Sequence, residues 1–132
     1  AWHSNHCTGT TPISDCPFNI YRTSGDIGTY WDRMLSNLGS TVPFLGDADH
    51  RIPGSHQIPR SRPGAWAYPD MLEVGRLANN TESRTHFASW AIISSPLILS
   101  FDLRVGSTMD AMWPIISNRD VIAVNQIWDG SP

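Results

Sequence analysis

The chain contains no lysine, and all 9 of its basic side chains are arginine. Against 12 acidic residues this leaves a net charge of −3. The basic face that nucleic-acid phosphates require is missing, so no nucleic-acid partner is expected. Long apolar runs are absent as well. Apolar stretches such as Ala91–Ile92–Ile93 and Leu97–Ile98–Leu99 run only a few residues, against the roughly 20 residues that a membrane-spanning helix needs, so no membrane partner is expected either. Charged residues are scarce at 16%, while 6 Trp, 3 Tyr and 4 Phe are present. A disordered segment shows the opposite balance, which excludes that class. Metal-ligand spacings such as C-x-x-C or H-x-x-x-H are also lacking. His3, His6 and Cys7 lie close together and His50 and His56 sit in a long loop, but no metal and no cofactor is expected.

What is present points to an α/β chain of one domain's length. Residues 1–17 read as loop, broken by Gly9, Pro12 and Pro17. Phe18–Thr23 reads as a short strand. Ile27, Tyr30, Trp31, Met34, Leu35 and Leu38 then recur at helical spacing, with Gly39 as a stop. Residues 40–64 hold four Pro and three Gly, and an irregular stretch of that length is often functional. The arginines Arg51, Arg60 and Arg62 in it stand beside Asp47 and Asp49 and read as a solvated loop. Trp66–Leu72 reads as a strand ending near Pro69. Thr81 is the predicted N-cap of a helix to about Ser94, with Phe87, Trp90, Ala91 and Ser94 on one face and Pro96 beyond it. Leu97–Phe101 reads as a buried strand. Ser107 is the predicted cap of a helix carrying Met109, Met112, Trp113 and Ile116 inward, with Pro114 kinking or restarting it. Val121–Val124 fits either strand or helix.

This alternation of strand and helix argues for parallel βα units. Parallel sheets are covered on both faces or closed into a barrel, so three such units read as part of a larger sheet. Enzymes of this architecture carry their chemistry just after the strands. Three clusters stand there: Arg22–Asp26, Asp70–Met71 and Asp102. Asp102 reads as an ordinary turn residue, and helix capping competes with chemistry at Asp26. At helical spacing, Trp31, Trp90 and Trp113 read as core. Cys7 and Cys16 read as a local disulfide or as two separate thiols. Asn79–Asn80–Thr81 forms a glycosylation sequon on Asn79. Bridge and sequon both fit an extracytoplasmic compartment. The first residues, Ala1–Asn5, lack the basic start and apolar run of a leader, so a leader has been removed or the chain starts inside something longer.

Five blocks carry a resemblance: Tyr21–Ile27, Trp66–Gly75, Arg84–Ala91, Ser95–Arg104 and Asp120–Gln126. In this order they resemble the second half of the α-galactosidases of glycoside hydrolase family 27, across most of residues 18–126. The resemblance implies a retaining glycosidase built on a (β/α)8 TIM barrel followed by a β-sandwich. Residues 1–132 would be the C-terminal half of that barrel, an incomplete domain holding roughly strands six to eight with their helices. Residues 1–10 would end the fifth strand and shape specificity at the sugar's C2. Asp26 then matches the general acid/base and Arg22 a sugar-hydroxyl ligand. Asp70 and Met71 match residues lining the galactose pocket, in a motif that Trp66 opens. The family's nucleophilic aspartate lies on the fourth strand, upstream of everything here. The isolated chain is therefore expected to be inactive, with the missing N-terminal half supplied by the same or a separate chain.

The implied ligand is a galactoside or related carbohydrate, and the implied location is secreted or lysosomal/vacuolar. Two departures bear on the sugar. Ala67–Tyr68 stands where many members have Asn-Asp, and the two cysteines are closer together than usual. These leave β-L-arabinopyranosides and α-N-acetylgalactosaminides open as substrates. The rival reading is a carbohydrate-binding or structural component with the same barrel that has lost catalysis, with Trp2, Trp66 and Tyr68 as sugar-contacting or packing surfaces.

Overall fold

A computed structural model describes residue 15 and residues 17–44 and 61–127. Within them lie strand β1 (Ile20–Arg22), helix α1 (Trp31–Gly39), a single 3-10 turn at Val42–Phe44 and strand β2 (Trp66–Tyr68). Helices α2 (Asn80–Ile92), α3 (Gly106–Ile116) and α4 (Arg119–Gln126) follow. β1 and β2 pair in parallel, Ile20 with Trp66, Tyr21 with Ala67 and Arg22 with Tyr68. The α/β order with parallel pairing is therefore as the sequence predicts.

The third strand is a correction. Leu97–Phe101 makes a single parallel bridge, Leu72 with Leu99, closed by the Leu72 N–H on the Ile98 carbonyl at 2.8 Å. Two features stop the ladder there. Pro69 brings no N–H, and Asp70 turns out of the extended region at φ 97°. The Leu72 carbonyl is then taken by the Ser100 hydroxyl at 2.6 Å instead of by a strand amide.

The helices differ from expectation at their ends. α1 starts at Trp31, because the Ile27 N–H donates to the Asp70 carboxylate instead of to its own chain. Met34 is fully buried, with Ile27, Trp31 and Leu38 packed against the same core, but Tyr30 and Leu35 face outward. Asn37 takes a buried place on that helix instead. Gly39 is the last helical residue, and Ser40 caps in ordinary right-handed geometry. α2 is capped by Asn79, not Thr81: its Oδ1 accepts the Glu82 N–H at 2.9 Å, and its Nδ2 donates to Glu82 Oε1 at 3.0 Å. The same two residues thus bond twice, once side chain to backbone and once side chain to side chain. Ser94 lies beyond the helix at φ 51°. α3 starts from Val105 without a side-chain cap, so Ser107 is inside it, and it runs through Pro114 as one helix. Val121–Val124 is helical, capped by Asn118.

The main core joins Met34, Leu72, Val74, Phe87, Trp90, Phe101, Met112 and Ile115. Trp113 is not part of it. Met112 and Ile115 define the buried stripe of α3, and Trp113 falls off its edge, 57% exposed. Gly75 lets the loop after β2 close on α3. It sits at φ 81°, and an added Cβ would stand 3.0 Å from Met112 Cγ. A smaller cluster of Tyr21, Ala65 and Ala67, with Phe18 and Phe44, packs the opposite side of the strands from Arg22. Asn79→Ala should destabilise the intact protein by about 1 kcal/mol, the usual value of an N-cap, read by urea unfolding. Thr81→Ala should change stability little.

Candidate active site

Parallel pairing in this register puts Ile20, Trp66, Arg22 and Tyr68 on one side of the strands and Tyr21 and Ala67 on the other. Arg22 and Tyr68 are neighbours at the C-terminal ends. The chain continues from both ends into loops, and those loops meet. Arg22 Nη2 donates to Asp26 Oδ1 at 2.7 Å, and its Nη1 donates to Asp70 Oδ2 at 3.3 Å. One guanidinium thus holds two carboxylates from different loops.

The two carboxylates stand in opposite surroundings. The Asp26 side chain is 89% exposed, the Asp70 side chain 6%. Asp70 is correspondingly well bonded. Its Oδ2 also accepts the Ile27 N–H at 2.9 Å, and its Oδ1 accepts the Met71 N–H at 2.9 Å. Its carbonyl accepts the Trp90 indole N–H at 2.8 Å. The preceding carbonyl, of Pro69, accepts from the Ser24 hydroxyl at 2.8 Å and from Asn37 Nδ2 at 2.9 Å. Asn37 Nδ2 also reaches the Gly25 carbonyl at 3.1 Å. The loop that carries Asp26 is therefore tied to the loop that carries Asp70 through backbone carbonyls as well as through Arg22.

The charges reinforce one another. The hydrogen bond to Asp26 raises the Arg22 guanidinium; loss of solvent offsets part of this, and the charge of Asp70 then adds to the rise. Tyr68 is pushed up to about 12, first by burial and then by the charge of Asp70, with Arg22 offsetting part. The Tyr68 phenol keeps its proton at any physiological pH.

Of the residues singled out in the sequence, Arg22, Asp26 and Asp70 come together, and Met71 joins them through its backbone. Trp66 stands at the other end of β2. It lines a separate hollow of about 260 Å³ with Ser94, Ser95, Pro96, Asn125 and Gln126. Asp102 bonds to Arg104, whose guanidinium and N–H hold its carboxyl below the usual range. Asn79 is exposed at the helix cap already described. Cys7 and Cys16, and with them Trp2, His3, His6, His50 and His56, lie outside the described residues. Among the described residues no three His, Cys, Asp or Glu side chains are grouped to hold a metal ion, and no helix is long and apolar enough to cross a membrane.

Sequence reasoning missed the supporting residues. Ser24 and Asn37 act on a carbonyl more than thirty positions away, which no local pattern reveals. His86 is fully buried, edge-on to the Trp90 ring at 4.1 Å. Its spacing of four from Trp90 was the available signal. Its Nε2 accepts the Glu73 N–H at 2.8 Å. Glu73 is buried beside it, its carboxyl raised by burial and partly restored by Arg76.

Comparison with known proteins adds the following. A family model described as "Alpha galactosidase A" matches residues 5–127. The chain is 38% identical over 109 residues to an alpha-galactosidase of Cyamopsis tetragonoloba, covering 82% of this chain and 23% of that protein. It is 42% identical over 108 residues to "Alpha-galactosidase A" of Cellvibrio japonicus, covering 80% of this chain and 25% of that protein. An alpha-N-acetylgalactosaminidase of Gallus gallus is 34% identical over 116 residues, covering 82% and 24%. The chain thus spans about a quarter of the length of these relatives.

Burial pushes His86 down to about 4 from its ordinary 6.5. The unfolded chain therefore binds this proton at a higher pH than the folded one does. The stability contributed by a neutral His86 is full above about pH 6.5, falls as the pH drops, and levels off below about 4. Thermal unfolding of the intact protein beside its His86→Gln variant should show the unsubstituted protein losing about 3 kcal/mol relative to the variant across that window. A constant difference between the two would mean that His86 does not titrate there.

Proposed function

We propose that this chain, which belongs to the alpha galactosidase A family of glycoside hydrolases, carries the acid/base half of a retaining site that cleaves terminal α-galactosides. The observation that carries this is the Arg22 fork, which joins an exposed Asp26 to a buried Asp70 at the C-terminal ends of two parallel strands. That is where barrel enzymes keep their chemistry. The family implies a (β/α)8 barrel, with the described strands as a part of it. Two features support that reading. Helices follow the strands, and the strand face bearing Ile20, Arg22, Trp66 and Tyr68 is incompletely covered, Ile20 being 45% exposed.

In this mechanism Asp26 acts twice. As an acid it gives a proton to the glycosidic oxygen while the bond to the sugar's anomeric carbon breaks and a second carboxylate attacks that carbon. As a base it then takes a proton from the water that releases the sugar. Arg22 occupies Oδ1 of Asp26, which leaves Oδ2 to carry the proton. Asp70, Met71 and the Tyr68 hydroxyl form the sugar-binding side, with Trp66 further along the same strand face. The nucleophile is assigned to none of the described residues, because Asp70, the nearest candidate, already accepts three hydrogen bonds. The described segment by itself is accordingly inactive. The Gallus gallus relative keeps N-acetylgalactosaminides as the second substrate class.

In the complete enzyme, Asp26→Asn should lower turnover of an α-linked disaccharide at least a hundredfold more than that of 4-nitrophenyl α-galactoside, whose leaving group needs no proton. Equal loss on both substrates would remove Asp26 from the acid role. Proton NMR of the first sugar released should show the α anomer, and a β product would exclude the retaining mechanism.

A further inference from the structure

We infer that His86 is a positioning residue for this site, holding the turn that presents Asp70 to Arg22 and thereby orienting Asp26. The inference rests on the glycosidase reading above. His86 is a fully buried titratable group that the proposed reaction does not use. Its Nδ1 has no hydrogen-bond partner among the described residues. A buried N–H left unpaired is costly, so apolar packing alone would be better served by another side chain. What the imidazole supplies is its other nitrogen. Nε2 accepts the Glu73 N–H at 2.8 Å, which places the proton of the neutral ring on Nδ1.

The position of that bond gives it a purpose. His86 and Trp90 are one turn apart on α2. Trp90 donates to the Asp70 carbonyl, and His86 accepts from Glu73. One face of one helix thus grips both ends of the segment 70–73. That segment opens with Asp70 at φ 97°, a conformation that a non-glycine residue keeps only when its surroundings impose it. From this turn the Asp70 carboxylate reaches Ile27 N–H and Arg22, and Arg22 reaches Asp26. Release at Glu73 would let the turn relax toward ordinary backbone, withdraw Asp70 from Arg22, and free Asp26 to leave the orientation that proton donation needs.

The test compares His86→Met, which keeps apolar volume and removes the acceptor, with His86→Gln, whose Oε1 can stand in for Nε2. Both are measured in the complete enzyme on an α-linked disaccharide and on 4-nitrophenyl α-galactoside. His86→Met should lower kcat/KM on the disaccharide at least tenfold more than on the aryl substrate, and His86→Gln should stay within about threefold of the unsubstituted enzyme on both. Equal loss on both substrates would reduce His86 to a packing residue, as would a His86→Gln variant as impaired as His86→Met. Asp26→Asn, run in parallel, separates the two readings. If it discriminates between the substrates and His86→Met does not, the positioning role alone fails. If neither does, the acid role of Asp26 fails first. Should His86→Met not fold, the imidazole nitrogen shifts of the unsubstituted protein at pH 6.5 decide the matter. They must show an unprotonated Nε2 and a protonated Nδ1, and the opposite tautomer or an imidazolium overturns the inference.

Discussion

The site depends on one buried carboxylate. Asp70 lies where an ionised oxygen pair would be expensive without hydrogen-bond donors to replace water. Its oxygens are met by donors from three places: the Arg22 side chain at the end of β1, the Ile27 N–H in the loop that follows, and the Met71 N–H in its own turn. These bonds bring two loops, remote in sequence, to a common geometry. They also explain the local shape of the chain. Helix α1 begins late because Ile27 gives its amide to Asp70, and β2 ends early because Asp70 must leave the extended region to present its carboxylate.

In the proposed reaction, burial of Asp70 and exposure of Asp26 would divide the work between them. A group that must reach a glycosidic oxygen and later a water has to stand at the surface of the site, and Asp26 does. A surface carboxylate on a loop has rotational freedom that a proton donor cannot use. Arg22 removes part of that freedom, and it can do so because its other nitrogen is anchored on Asp70. A guanidinium suits this position better than an ammonium, since its fixed fork spans two carboxylates at once. The absence of lysine from the whole chain leaves arginine to make each of the ion pairs described.

The parts of this arrangement that were legible in the sequence are those with a local period or a local motif. Parallel β–α order followed from the alternation of short apolar runs with helical spacing, and Arg22, Asp26 and Asp70 stood out by their places after strands. The errors came where tertiary bonds overrode local preference. Thr81 is a competent cap, but Asn79 could bond twice with Glu82. Leu97–Phe101 has strand composition, yet its partner strand has turned away at Asp70 and a serine hydroxyl takes the free carbonyl. Trp113 has core spacing, yet the stripe of α3 is set by Met112 and Ile115. Ser24, Asn37 and His86 gave almost no signal, because each acts on backbone that only the fold brings near.

The same bonds that make Asp70 a good anchor argue against it as the nucleophile of the proposed reaction. A carboxylate that attacks an anomeric carbon needs an oxygen lone pair directed at the sugar and must surrender negative charge as the new bond forms. Asp70 already accepts three hydrogen bonds, from Arg22, Ile27 and Met71, and bonds to an ionised acceptor are stronger than neutral ones. Attack would break the bonds that hold both loops, including the one through which Arg22 steadies Asp26. The proposed retaining reaction would therefore need a further carboxylate on another element, about 5 to 5.5 Å from Asp26. The incompletely covered strand face beside Arg22 and Tyr68 is the side from which such an element can approach, since the opposite face of the strands is filled by Tyr21, Ala67 and their aromatic neighbours.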